Sequence, residues 1–166
     1  MPDYPLPHAS FDLTGQVALV TGASSGLGHR FARVLAAAGA SVAVAARRTD
    51  RLDALVQTIR AAGGRAEAFA LDVTQDAQFA PLFDAIADRL GASPSILVNN
   101  AGIPDAQRAH KMSVADIDRV MAVNFRAPWL LSCEFARRRM AVQQPGRIVN
   151  IASMAAYQYK GGGAAL

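Results

Sequence analysis

The chain has 166 residues (17.5 kDa), is 52% hydrophobic and 18% charged, and carries a formal net charge of +4. That is the composition and length of one globular domain with a real core; disorder is excluded by the apolar content, and a collagen-like chain by glycines without period. The longest uncharged apolar run, residues 34–46, has 13 residues and falls short of the roughly 20 a spanning helix needs.

The charge excess is mild and almost all arginine. Its one dense run, Arg137, Arg138 and Arg139, falls in a helical stretch with no accompanying aromatic pattern. It reads as a solvated helix face, and no nucleic-acid partner is expected. No basic residue precedes Arg30 and no apolar h-region is present, so no secretory signal is expected. The single cysteine, Cys133, cannot form an intrachain disulfide, which fits a cytoplasmic location. His8, His29 and His110 lack ligand spacing, so no metal site is expected.

In chain order, residues 1–10, with Pro2, Pro5 and Pro7, read as a loose leader, and one domain is expected over residues 11–166. Short apolar runs at 17–20, 42–46, 66–71, 96–99 and 147–151 read as parallel strands covered on both faces. Helical spacing separates them: Leu27, Phe31, Val34 and Leu35 form one stripe, and Phe79, Leu82, Phe83, Ile86 and Leu90 another. A further helix is expected over residues 116–135, kinked by Pro128. Gly39 and the pair Gly63 and Gly64 stop two of the helices. The alternation of strand and helix predicts an α/β fold with a Rossmann-type, doubly wound parallel sheet ending at its fifth strand.

The first strand runs directly into Thr21-Gly22-Ala23-Ser24-Ser25-Gly26-Leu27-Gly28 and then a helix. Glycines there let backbone approach a phosphate, and the helix N-terminus offers unpaired N–H groups and a positive dipole end. The same stretch matches a G-x-S-x-G nucleophile elbow, but no acid followed by a suitably placed histidine comes after it. It fails as a kinase-type P-loop because His29, not Lys, follows Gly28.

Together with Asp72-Val73, Asn99-Asn100-Ala101-Gly102, Asn124 and the run from Ile148 through Ser153, this loop makes the chain resemble the short-chain dehydrogenase/reductase family over residues 11–153. The resemblance implies that Gly22, Ser24, Ser25, Gly26, Leu27 and Gly28 surround the pyrophosphate and ribose of a dinucleotide. It places Asp72 and Val73 beside the adenine, Asn100, Ala101 and Gly102 beside a ribose, and Asn99 in a structural role. Asn124 is implied to hold a water in a proton relay, and Ser153 to hydrogen-bond the substrate oxygen. Left to themselves, Asp72 reads as a turn cap and Asn124 as an exposed helix residue. The family's activity is interconversion of a carbonyl and a secondary alcohol by hydride transfer, on a small-molecule substrate, in a homo-oligomer.

Cofactor choice follows from the end of the second strand. A carboxylate there binds the 2′-hydroxyl of NAD, and arginine accommodates the 2′-phosphate of NADP. The chain has Ala45-Ala46-Arg47-Arg48, so NADP(H) is expected over NAD(H), through Arg47 with Arg48 in support. The family's catalytic tyrosine and lysine, four residues apart, are due a little over a dozen residues after the serine, and Leu166 lies 13 residues beyond Ser153. Tyr157, Tyr159 and Lys160 have the wrong spacing to replace them. The chain is therefore read as an N-terminal fragment of such an enzyme, inactive alone, the alternative being a dinucleotide-binding module without catalysis.

Overall fold

The central strand β1 (Val17–Thr21) is buried at every residue, because it has a strand on either side and helices over both faces. A computed structural model describes residues 11–104 and 109–154. The expected leader, and Tyr157, Tyr159 and Lys160, lie outside the described residues. With β2 (Ser41–Ala46), β3 (Arg65–Ala70), β4 (Ile96–Asn99) and β5 (Arg147–Asn150), β1 forms a parallel sheet in the order β3-β2-β1-β4-β5. The expected doubly wound fold is what the chain adopts. Thr21, Ser41 and Arg65 extend three strands beyond the apolar runs, while β3 stops at Ala70 and β5 at Asn150, one residue short of expectation.

Side chains alternate across the sheet and fill two cores. Helices α1 (Gly26–Ala37) and α2 (Thr49–Ala61) bring Ala32, Leu52, Leu55 and Ile59 onto Ala18, Val20, Val42 and Val44. On the opposite face α3 (Phe79–Leu90) and α5 (Ala127–Ala141) bring Phe83, Ile86, Leu131 and Phe135 onto Leu19, Ala43, Ala45 and Leu97. Strand order reverses between β1 and β4, which sends their following loops to opposite faces. A crevice opens at such a switch point, outside the carboxyl ends of the strands.

One expectation needs correction. Residues 116–135 are not one kinked α-helix. Helix α4 (Val114–Met121) begins under a capping box in which Ser113 Oγ accepts the Asp116 N–H (3.1 Å) and the Asp116 carboxylate accepts the Ser113 N–H (3.2 Å). A π-turn, Ala122–Arg126, follows before α5 carries the rod on to Ala141. The cause is Pro128: it has no N–H for the carbonyl of Asn124, and its ring crowds that carbonyl. Widening the turn relieves both, as in the i→i+5 bond from Ala127 N–H to Ala122 O.

Candidate functional site

The glycine loop is held against the end of β4 by side chains as well as by backbone. Thr21 Oγ1 donates to Val98 O (3.3 Å) and accepts the N–H groups of Asn100 and Ala101 (both 3.1 Å). Asn100 Nδ2 donates to Thr21 O (2.9 Å) and Gly22 O (3.3 Å). A Cβ on Gly28 would stand 2.4 Å from Asn100 Nδ2 and 2.6 Å from Gly22 O, and one on Gly22 would stand 2.8 Å from Ala101 Cα. Those two glycines make the close approach possible. Gly26 differs: its φ is +58°, and nothing lies within 4 Å of where its Cβ would be, so the loop is open there.

Ser25 is the N-cap of α1, yet its hydroxyl makes no capping bond. It accepts instead from Arg48 Nη2 at 2.9 Å, and Ser24 Oγ accepts from the same nitrogen at 2.9 Å. The first turn of α1 therefore presents N–H groups without a side-chain cap, the arrangement that suits an anionic group. Leu27 is exposed at the same rim. Sequence reasoning ranked Arg47 ahead of Arg48. In the structure Arg48 spans to the loop, whereas Arg47 is exposed and its charge acts on Asp72.

Asp72 follows β3 and folds back on its own turn. One carboxylate oxygen accepts the Thr74 N–H (3.0 Å) and hydroxyl (2.8 Å), and Val73 between them is buried. These two bonds, with a smaller contribution from the Arg47 charge, hold the Asp72 carboxyl below its ordinary pKa. The turn-cap reading of Asp72 is thus correct as local structure.

Asn124 is neither on a regular helix nor idle. Its Oδ1 accepts the Ile103 N–H and its Nδ2 donates to Ile103 O, both at 2.9 Å, so the amide clips the loop beyond β4 to the π-turn. Gly102, just before Ile103, would place a Cβ 3.5 Å from that Oδ1. Pro128 has no N–H to offer the Asn124 main-chain carbonyl. Asn99 ties strands together: its Nδ2 donates to Asn150 Oδ1 (2.8 Å) and to Ser132 Oγ (3.1 Å). Ser132 in turn donates to Pro128 O (2.6 Å). Ser132 was missed in the sequence; a helix serine can turn its hydroxyl back to the carbonyl four residues earlier, here that of Pro128. Ser153 lies exposed just past β5 at the same carboxyl edge of the sheet.

The carboxyl edge of the sheet thus gathers Gly22 to Gly28, Arg48, Asp72, Asn100, Gly102 and Ser153, with Asn124 joined to it through Ile103. A family pattern described as short chain dehydrogenase matches residues 16–165. The chain belongs to that family. A D-threitol dehydrogenase of Mycolicibacterium smegmatis is 37% identical over 146 residues, covering 88% of this chain and 55% of that protein. Nodulation protein G of Rhizobium sp. (strain N33) is 40% identical over 145 residues, covering 87% of this chain and 57% of its own. The crystal structure of a metagenomic short-chain oxidoreductase in complex with NADP superposes with a TM-score of 0.84 at 40% identity, covering 92% of this chain and 69% of that one. A short-chain type dehydrogenase/reductase from Mycobacterium marinum gives 0.88 at 36% identity, over 93% and 60%. This short-chain dehydrogenase chain spans about half the length of the curated relatives it matches.

A second concavity, a groove of about 540 Å³, runs along α4, the π-turn and α5. Met121, Phe125, Trp129 and Leu130 line it, with Asp118 and Arg126 at its margins. None of its lining residues belongs to the glycine loop or to the strand ends. Among the described residues no cluster of three His, Cys, Asp or Glu could hold a metal, and no helix is long and apolar enough to cross a membrane.

Proposed function

We propose that the chain is the dinucleotide-binding part of an oxidoreductase that interconverts a carbonyl and a secondary alcohol, with NADP(H) preferred to NAD(H). The observation that carries the cofactor reading is the Arg48 guanidinium bridging Ser24 and Ser25 beside an uncapped helix N-terminus. The second strand supplies no carboxylate at its end, only Ala46 followed by Arg47 and Arg48. A 2′-phosphate fits that cationic, hydroxyl-lined corner, whereas a 2′-hydroxyl would bring no counter-charge to Arg48.

The residues divide the work by position. The N–H groups at the start of α1 and the open face at Gly26, flanked by Gly22, Leu27 and Gly28, hold the pyrophosphate. Asp72 and Val73 border the adenine, and Asn100, Ala101 and Gly102 border a ribose. When bound, the nicotinamide supplies or accepts the hydride. Asn124 keeps the loop at Ile103 in place and offers its main-chain carbonyl to a water, and Ser153 hydrogen-bonds the substrate oxygen. Holding both reactants against one rigid sheet edge converts their encounter into an oriented, effectively unimolecular step.

Fluorescence titration of NADPH and NADH against the protein tests the cofactor reading. NADPH should bind more tightly, and Arg48→Ala should weaken NADPH about tenfold, the worth of a charged hydrogen bond, with little effect on NADH. Tighter binding of NADH overturns it. Turnover of a panel of small ketones by the product of the intact gene tests the activity.

A further inference from the structure

We propose that Arg126 is a positioning residue for the adenine side of the cofactor site, acting through Asp76; the inference rests on the dinucleotide reading above. Neither residue belongs to the glycine loop, and 50 positions separate them in sequence. The Arg126 guanidinium forms an ion pair with the Asp76 carboxylate.

Asp76 stands at the outer end of a closed knot that begins at Asp72. The Gln75 N–H donates to Asp72 O (3.0 Å) and the Gln78 N–H to Gln75 O (2.9 Å). The Asp72 N–H donates to Gln78 Oε1 (3.2 Å), while Thr74 holds the Asp72 carboxylate. Bonds among Asp72, Thr74, Gln75 and Gln78 thus close segment 72–78 on itself, and a tether at Asp76 holds the segment that borders the adenine.

The other end of the tether is the π-turn. Asn124, two residues before Arg126, clips Ile103 beyond β4. One five-residue turn therefore grips the loop after β3 with Arg126 and the loop after β4 with Asn124. The two loops flank the crevice on its adenine and nicotinamide sides. Pro128 accounts for the turn, so the same feature sets the directions of both Asn124 and Arg126.

Both partners are well exposed, with side-chain exposures of 57% and 36%, so the tether is modest. Exposed pairs of this kind correspond to about a two- to fivefold change in an equilibrium constant. The effect should fall on binding of the adenine half, not on the fold. The test titrates the product of the intact gene with NADPH, with 2′,5′-ADP and with nicotinamide mononucleotide. The variants are Arg126→Ala, Asp76→Asn, their combination, and Arg126→Lys. Each single truncation should weaken 2′,5′-ADP and NADPH about two- to fivefold, leave nicotinamide mononucleotide unchanged, and leave the melting temperature within about 2 °C. The double variant should lose no more than either single one, and Arg126→Lys should recover most of the affinity. Wild-type affinity for 2′,5′-ADP in both single variants overturns the inference and leaves the dinucleotide reading standing, as do losses that simply add. A wild-type protein that binds neither NADPH nor NADH overturns both.

Discussion

Strands β1 and β5 are written in the same alphabet and meet different fates. Val17–Thr21 reads VALVT and Arg147–Asn150 reads RIVN, each with two branched apolar residues at its centre. All five residues of β1 are buried, whereas all four of β5 are exposed, Ile148 and Val149 at 40% and 46%. The difference lies in the neighbours. β1 has β2 and β4 beside it, α1 and α2 on one face, and α3 and α5 on the other. Among the described residues β5 pairs only with β4 and so lies at the edge of the sheet. Apolar content records what a strand is suited to bury, and its place in the sheet decides how much is buried. Among the described residues the glycine-loop corner thus stands on strands covered on both faces, while Ser153 follows a strand that is not.

The contrast predicts unequal costs. Leu19→Ala, at a residue with no exposed surface, should destabilise the chain by about 2–5 kcal/mol in urea unfolding. A cost below about 1 kcal/mol would mean that the β1 side is not tightly packed. Asn99→Ala leaves Asn150 Oδ1 without its donor at the junction of β4, β5 and α5, and should cost about 1–3 kcal/mol. This variant locates where the closed part of the molecule ends. Val149→Thr, on the exposed strand, should change stability by no more than about 0.5 kcal/mol; a larger loss would show β5 to be better covered than its edge position implies.

The smallest effect concerns acid. The folded pKa of Asp72 is lowered, first by the Thr74 N–H, then by the Thr74 hydroxyl, and last by Arg47. Its stabilisation is therefore complete above the ordinary carboxylate value of about 3.9 and is lost as pH falls through the depressed folded value. The group is only partly buried and solvent screens it, so the contribution is about a few tenths of a kcal/mol at most. Melting temperatures of wild type and Asp72→Asn should differ slightly at pH 6 and converge by about pH 2. A gap that widens in acid would reverse the sign assigned here.

Much of the site was legible because it is local. The glycine loop is read from eight consecutive residues, and its strand-to-helix placement follows from the apolar pattern on either side. The Pro128 disturbance was legible too, since a missing N–H is a property of the residue. Its form was not: a kink and a π-turn both satisfy a proline, and the choice depends on what the turn can grip, here Ile103 and Asp76. The ranking of the arginines was likewise out of reach. Arg47 and Arg48 are adjacent and chemically alike, and only the course of the chain after β2 brings Arg48 to Ser24 and Ser25.

The sequence by itself determined the strands and helices, the parallel doubly wound architecture and the glycine turn after β1, because periodicity, glycine placement and βαβ handedness act over a few residues or one crossover. The tertiary structure alone decided which arginine faces the loop, that the Asn124 amide is spent on backbone, and that Arg126 reaches across to Asp76. Each of these depends on groups brought together from distant parts of the chain, and spacing along a sequence carries no distance through space.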